Sequence, residues 1–166
     1  MKKPKLSLSV QYPDGRLKDI LPRWRLRYWV QAALQMPAVI TLRFVDAEEG
    51  LALNSTYRNK DYATNVLTFP YEEPSDFLMP ADSTDDANQP GTIACADIIL
   101  CTDVLLREAE EQQKTLLEHA AHLVIHGVLH AQGYDHIQDE EAEEMEALET
   151  AILARLGFDD PYKIID

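Results

Sequence analysis

Residues 115–131 carry apolar side chains around most of a helix's circumference, broken by four histidines, His119, His122, His126 and His130. A helix turns about 100° per residue, so these four fall within an arc of roughly 80° and make one polar stripe on an apolar rod. A rod of this kind is stable only when buried, and it therefore sets where the rest of the chain must pack. Thr115-Leu116-Leu117-Glu118 fits a capping box that would start it. Gly133 stands where it should end, since a residue without Cβ takes the left-handed conformation that turns the chain back.

His126 and His130 lie one turn apart, close enough for both imidazoles to reach one small cation, and the turn at Gly133 returns His136 to the same ion. Three neutral imidazoles without a thiolate or a fourth ligand describe a zinc site with an open position, the arrangement a catalytic ion needs. His119 and His122 are expected to surround such a site and not to bind the ion. Asp135 either orients a ligand or bonds a backbone amide; the sequence leaves both open. The spacing HxxxHxxGxxH resembles the metzincin zinc proteases, in which the residue after the first His is the Glu that serves as general base. Here that residue is Gly127, so the ligand geometry transfers and the proteolytic mechanism does not.

At 166 residues and 46% hydrophobic composition, the chain reads as one domain with a substantial core. Its net charge of −14 is unevenly divided. Residues 1–60 hold eleven Lys and Arg against five acids, whereas residues 61–166 hold four against twenty-four. Binding to a nucleic acid would require a local basic face, because the overall field repels phosphate. Met1-Lys2-Lys3 opens like a signal peptide, but Pro4 and Lys5 follow and the next residues alternate, so a cytoplasmic protein is expected. The uncharged stretches 28–42 and 120–134 fall short of the ~20 apolar residues that span a bilayer, and no membrane segment is predicted. Cys95 and Cys101 are six apart on a predicted strand, too far for a disulfide, and read as buried free thiols.

Residues 5–11 alternate as a half-buried strand, and residues 21–35 have helical spacing. Lys18, Arg23, Arg25 and Arg27 give that helix a basic side, either a contact for nucleic acid or ordinary solvated charge. A strand over 37–45 leads into a helix over 46–57 with Asp46 as its N-cap. Arg58 and Lys60 follow in a loop before a short strand over 65–69. Residues 72–90, rich in proline and acids, read as a long mobile loop, a lid or a disordered insertion. Residues 91–100 are apolar on both faces except for Asp97, which predicts a central strand. Asp97 is then expected to be buried, either supporting the metal site or accepting backbone hydrogen bonds. A helix over 103–114 precedes the histidine helix. Another over 139–156, ended by Gly157, buries Met145, Leu148, Ile152 and Leu156, with its carboxylates forming a solvated face.

The full string from His126 to His136, with Asp135 before its last His, resembles the signature of the YbeY-type metal-dependent endoribonucleases. So do residues 53–70, which include Arg58 and end in Asn65-Val66-Leu67-Thr68-Phe69-Pro70, and the short Ala96-Asp97-Ile98. The resemblance implies one α+β domain over 1–166, a mixed sheet of about four strands packed with helices, and a zincin-like His helix. It implies one Zn2+ on His126, His130 and His136, and a catalytic role for Arg58. The implied activity is a single-strand-preferring endoribonuclease that matures the 3′ end of 16S ribosomal RNA and serves ribosome quality control. Ribosomal small-subunit proteins and assembly factors would be partners. Zinc would acidify bound water, and Arg58 would suit developing charge on phosphate. The proton acceptor stays open between zinc-bound hydroxide, a carboxylate and the substrate's 2′-hydroxyl. Two other readings compete: a ribosome-assembly binding module with a structural zinc and residues 16–27 on RNA, and a metal-dependent hydrolase of another substrate.

Overall fold

The computed structural model describes residues 3–58, 64–71, 93–134 and 138–162. Among them four strands form one sheet: β1 (Leu6–Gln11), β2 (Ala38–Val45), β3 (Val66–Pro70) and β4 (Ala94–Cys101). The helices are α1 (Arg23–Ala33), α2 (Ala47–Arg58), α3 (Thr102–Glu111), α4 (Leu116–Ala131) and α5 (Asp139–Arg155). The strand order is β1-β2-β4-β3, with β1, β2 and β4 parallel and β3 antiparallel to β4. This is the mixed α+β architecture expected. Strand β4 sits inside the sheet, as its two apolar faces require. The stretch 72–90 lies outside the described residues.

Alternation along the strands gives the sheet two faces. Ile40, Leu42 and Phe44 of β2 stand beside Ala96, Ile98 and Leu100 of β4 and are covered by α1 and α4. Leu26, Val30 and Ala33 of α1, with Ala121, Val124 and Val128 of α4, are fully buried. Burying a Leu, Val or Ile side chain stabilises by about 1.5–3 kcal/mol, so this layer is the main source of stability. The opposite face gathers Val45, Leu67, Ile99, Cys101 and Val104 into a smaller cluster. Asp97, expected to be buried, is exposed. Its period-two position puts it on this second face, where the apolar cover lies toward the Ile99–Cys101 end. Cys95 and Cys101 are buried and not joined in a disulfide, as predicted.

Helix α1 begins two residues later than its periodicity suggests, because Pro22 occupies the N-cap. Asp46 caps α2 by accepting the Glu49 N–H at 2.9 Å. β1 is an edge strand, and two arginines of α1 close its outer edge: Arg23 donates to the Val10 carbonyl at 3.0 Å and Arg27 to that of Leu6 at 3.3 Å. Arg16 is held by Asp14 and Asp103, and Asp103 also accepts the Ala47 N–H at 2.7 Å. That hub joins the starts of α2 and α3. No helix among the described residues is long and apolar enough to cross a membrane.

Candidate metal centre

The predicted capping box starts α4: Thr115 Oγ1 accepts the Glu118 N–H and the Glu118 carboxylate accepts the Thr115 N–H, both at 3.1 Å. At the other end Gly133 has φ +103°. Its N–H reaches the His130 carbonyl at 3.0 Å, and the Tyr134 N–H reaches that of Leu129 at 3.1 Å, a Schellman closure. The Tyr134 hydroxyl donates to Gln35 Oε1 at 2.6 Å and Gln132 Nε2 to the Ala33 carbonyl at 2.8 Å. The exit of α4 is thereby pinned to the end of α1, just ahead of His136. His136 and Asp135 lie outside the described residues. Arg58 closes α2, and its side chain is likewise outside them.

The rings of His126 and His130 face one another with centroids 4.6 Å apart and planes at 79°. Two imidazoles this close suit a single ion with metal–nitrogen bonds of about 2 Å. Behind His126, its Nδ1 lies 3.3 Å from both oxygens of Glu149. Glu149 comes from α5 and is 0% exposed. It also meets His122 Nε2 at 2.8 Å and accepts the Tyr162 hydroxyl at 2.9 Å. The α5 carboxylates were expected on a solvated face, and this one is not. Glu149 falls four residues after Met145 and three before Ile152, a spacing that puts it on the buried side. That periodicity was the available signal, outweighed by the residue's charge.

Burial is the largest influence on the Glu149 carboxyl and works to raise its pKa. Hydrogen bonds from His122 and His126, together with the attraction of those rings in their protonated form, overcome it and hold the group at about 2. The Tyr162 hydroxyl is pushed up, first by burial and then by the Glu149 charge. An ionised carboxylate only accepts, so His126 Nδ1 and His122 Nε2 must both be donors. In the neutral rings this fixes the tautomers. His126 then carries its lone pair on Nε2, the form in which a carboxylate-backed histidine ligates a metal. The lone pair of His122 falls on Nδ1, a buried atom without a hydrogen-bond partner among the described residues. His122, His126 and Glu149 also offer ligand atoms within 4.8 Å of one another and could themselves hold a metal ion.

His119 does not join this group. It is buried, and its Nε2 lies 2.9 Å from Glu108 Oε1, an oxygen that also accepts the Asn65 amide at 3.0 Å. Burial lowers its pKa more than Glu108 raises it. Gly127 has no room for a side chain: a Cβ there would stand 2.9 Å from Ile98 Cγ2 and 3.4 Å from Thr68 Oγ1. The glycine in the place of a protease's general base is thus the contact that lets α4 lie close on the sheet.

Fold and site together define an α+β domain with a histidine-and-carboxylate centre able to take a metal ion. The profile of the endoribonuclease YbeY family matches residues 12–157. A protein from Herminiimonas arsenicoxydans named endoribonuclease YbeY is 66% identical over 162 residues, covering 98% of each chain. One of the same name from Janthinobacterium sp. (strain Marseille) is 65% identical over 98% of this chain and 97% of its own. Another, from Bordetella pertussis, is 52% identical over 95% of this chain and 96% of its own. The chain belongs to the endoribonuclease YbeY family. The solution structure of TM1509 from Thermotoga maritima shares the fold, with a TM-score of 0.51 at 22% identity, over 95% of this chain and 99% of that one.

Proposed function

We propose that this chain is a metal-dependent endoribonuclease, hydrolysing phosphodiester bonds within RNA, with its ion held by His126, His130 and His136. The observation that carries the reading is Glu149 seated behind His126 Nδ1, beside a second ring 4.6 Å away. The alternative set, His122, His126 and Glu149, is the weaker choice. Glu149 is fully buried, whereas His126 and His130 are only part-buried, nearer to where a polymer can arrive.

A zinc ion on the three histidines would supply a Lewis acid for a phosphoryl oxygen and water made acidic near neutral pH. Glu149 holds the His126 tautomer and orientation for it. Arg58, always charged and fork-shaped, pairs with phosphate oxygens as negative charge develops on them. Since nothing fits at Gly127, the proton goes to a carboxylate elsewhere, or the substrate's 2′-hydroxyl is the nucleophile. The similarity of residues 53–70, 96–98 and 126–136 to the family signatures supports a finer assignment. The substrate is single-stranded ribosomal RNA at the 3′ end of 16S, met in the cytoplasm with small-subunit proteins and assembly factors, and the domain spans residues 1–166.

The test is cleavage of single-stranded and duplex RNA by the zinc-loaded protein, by the chelated protein and by Arg58→Ala. Chelation should abolish cutting and zinc restore it, single strands should be preferred, and Arg58→Ala should lose about 10²–10³-fold while keeping its zinc. Cutting that survives both chelation and Arg58→Ala overturns the proposal. A structural ion would reveal itself differently. Chelation would then unfold the chain, whereas burial of α4 against the sheet predicts an unchanged circular dichroism spectrum.

A further inference from the structure

Helix α1 breaks a rule that α5 obeys. The first turn of α5 carries Asp139, Glu140 and Glu141, which the positive end of the helix dipole favours. The first turn of α1 has no acid and no side-chain cap, and Arg23 and Arg25 stand there against the dipole. Local rules are broken most often where function needs the residue. Between Arg16 and Met36 the only acid is Asp19. Among the described residues, Arg23, Arg25 and Arg27 donate to the carbonyls of Val10, Ile20 and Leu6, not to carboxylates. Their charge therefore remains available, on a chain whose net charge is −14.

Between these cations lies an aromatic strip. Trp24 is 66% exposed and Tyr28 57%, whereas the other tryptophan, Trp29, is buried in the core. At about 100° per residue, Trp24 and Tyr28 point within about 40° of each other and rise about 6 Å along the axis. Arg23 and Arg27 flank them on one side. Arg25 flanks them on the other, its guanidinium 5.0 Å from the centre of the Trp24 ring.

We propose that the outer face of α1 is a docking platform for single-stranded RNA, with bases stacked on Trp24 and Tyr28 and phosphates paired to Arg23, Arg25 and Arg27. It rests on the endoribonuclease reading for its ligand class and adds where the strand lies. Flat π surfaces with cations on both sides match a single strand, whose bases are unstacked and whose backbone is a polyanion. A protein partner would need acids on both sides of an aromatic socket.

The experiment titrates the zinc-loaded protein into a fluorescently labelled, cleavage-resistant 2′-O-methyl single strand of about a dozen nucleotides, reading affinity from the label's anisotropy and stacking from tryptophan emission, and measures KM for a cleavable RNA. Stacking on Trp24 should quench the wild-type signal. Trp24→Ala with Tyr28→Ala should weaken affinity and raise KM by about 5–150-fold for each stack removed, with little change in kcat. Arg25→Gln with Arg27→Gln should flatten the dependence of affinity on salt by about 0.7 in log–log slope per lost phosphate contact. The buried Trp29 emission reports that the fold is intact. If wild type cuts RNA while the aromatic double variant keeps its affinity and KM, the platform is wrong and the face is left to a protein partner. If wild type cuts no RNA at all, the endoribonuclease reading has failed instead.

Discussion

Along one stripe of α4, His119 and His122 differ from His126 and His130 in what the neighbouring helices bring to them. α3 sends Glu108 to His119, and α5 sends Glu149 to His122 and His126. His126 shares its carboxylate and faces a second ring, His130. Both halves are a pair of histidines about one helical turn apart, three residues in one and four in the other. The chemistry is decided by which carboxylates arrive and how deeply each ring is buried. One half holds the fold together and positions; the other is left able to bind.

The largest effect should come from the C-terminal half. His126→Ala and His130→Ala should each lose zinc and cut RNA at least a thousandfold more slowly, with the fold retained by circular dichroism. Next comes the carboxylate that links the halves. Glu149→Gln keeps the shape but loses the fixed acceptor, so zinc affinity measured by chelator competition should fall about 10–100-fold while stoichiometry stays at one. If Glu149→Gln leaves affinity unchanged, the link between the halves does not exist.

Gly127 lies between the halves, at the contact with the sheet. Gly127→Ala puts a methyl 2.9 Å from Ile98 Cγ2. Overpacking of this kind costs about 1–3 kcal/mol, against roughly 1 kcal/mol returned by the better helix former. A net loss of stability in urea titration is expected; a gain would show that α4 has more freedom on the sheet than described.

The smallest effect belongs to His119. Its folded pKa lies below its unfolded value of about 6.5. The unfolded chain therefore takes up the proton first, and stability falls as pH drops below about 6.5 until it passes the folded value. His119→Gln should flatten that part of the curve in metal-free protein. Glu149 acts in a separate window with the same outcome, its contribution being lost as pH falls from about 4.5 towards about 2. A wild-type curve flat between pH 7 and 5 would contradict the burial of a neutral His119.

Much of this was legible in the chain. The capping box at Thr115, the left-handed Gly133, the N-cap Asp46 and the inner position of β4 follow from residue types at fixed spacings, because each is a local matter. Asp97 was misplaced since sequence gives a strand's alternation but not which of its two faces a helix will cover. Glu149 was missed for the opposite reason. Its periodicity marks it as buried, but a lone carboxylate on a strongly acidic helix is buried only if donors meet it, and His122, His126 and Tyr162 come from elsewhere in the chain. Arg16 looked like part of a basic face until the fold brought Asp103 to it.

The most direct test of the comparison is zinc bound per chain, by elemental analysis after dialysis, in His122→Asn beside His130→Ala. His122→Asn is expected to keep one zinc, more weakly held, and His130→Ala to keep none. The reverse result, zinc lost with His122→Asn and retained by His130→Ala, would place the ion among His122, His126 and Glu149 and contradict that expectation.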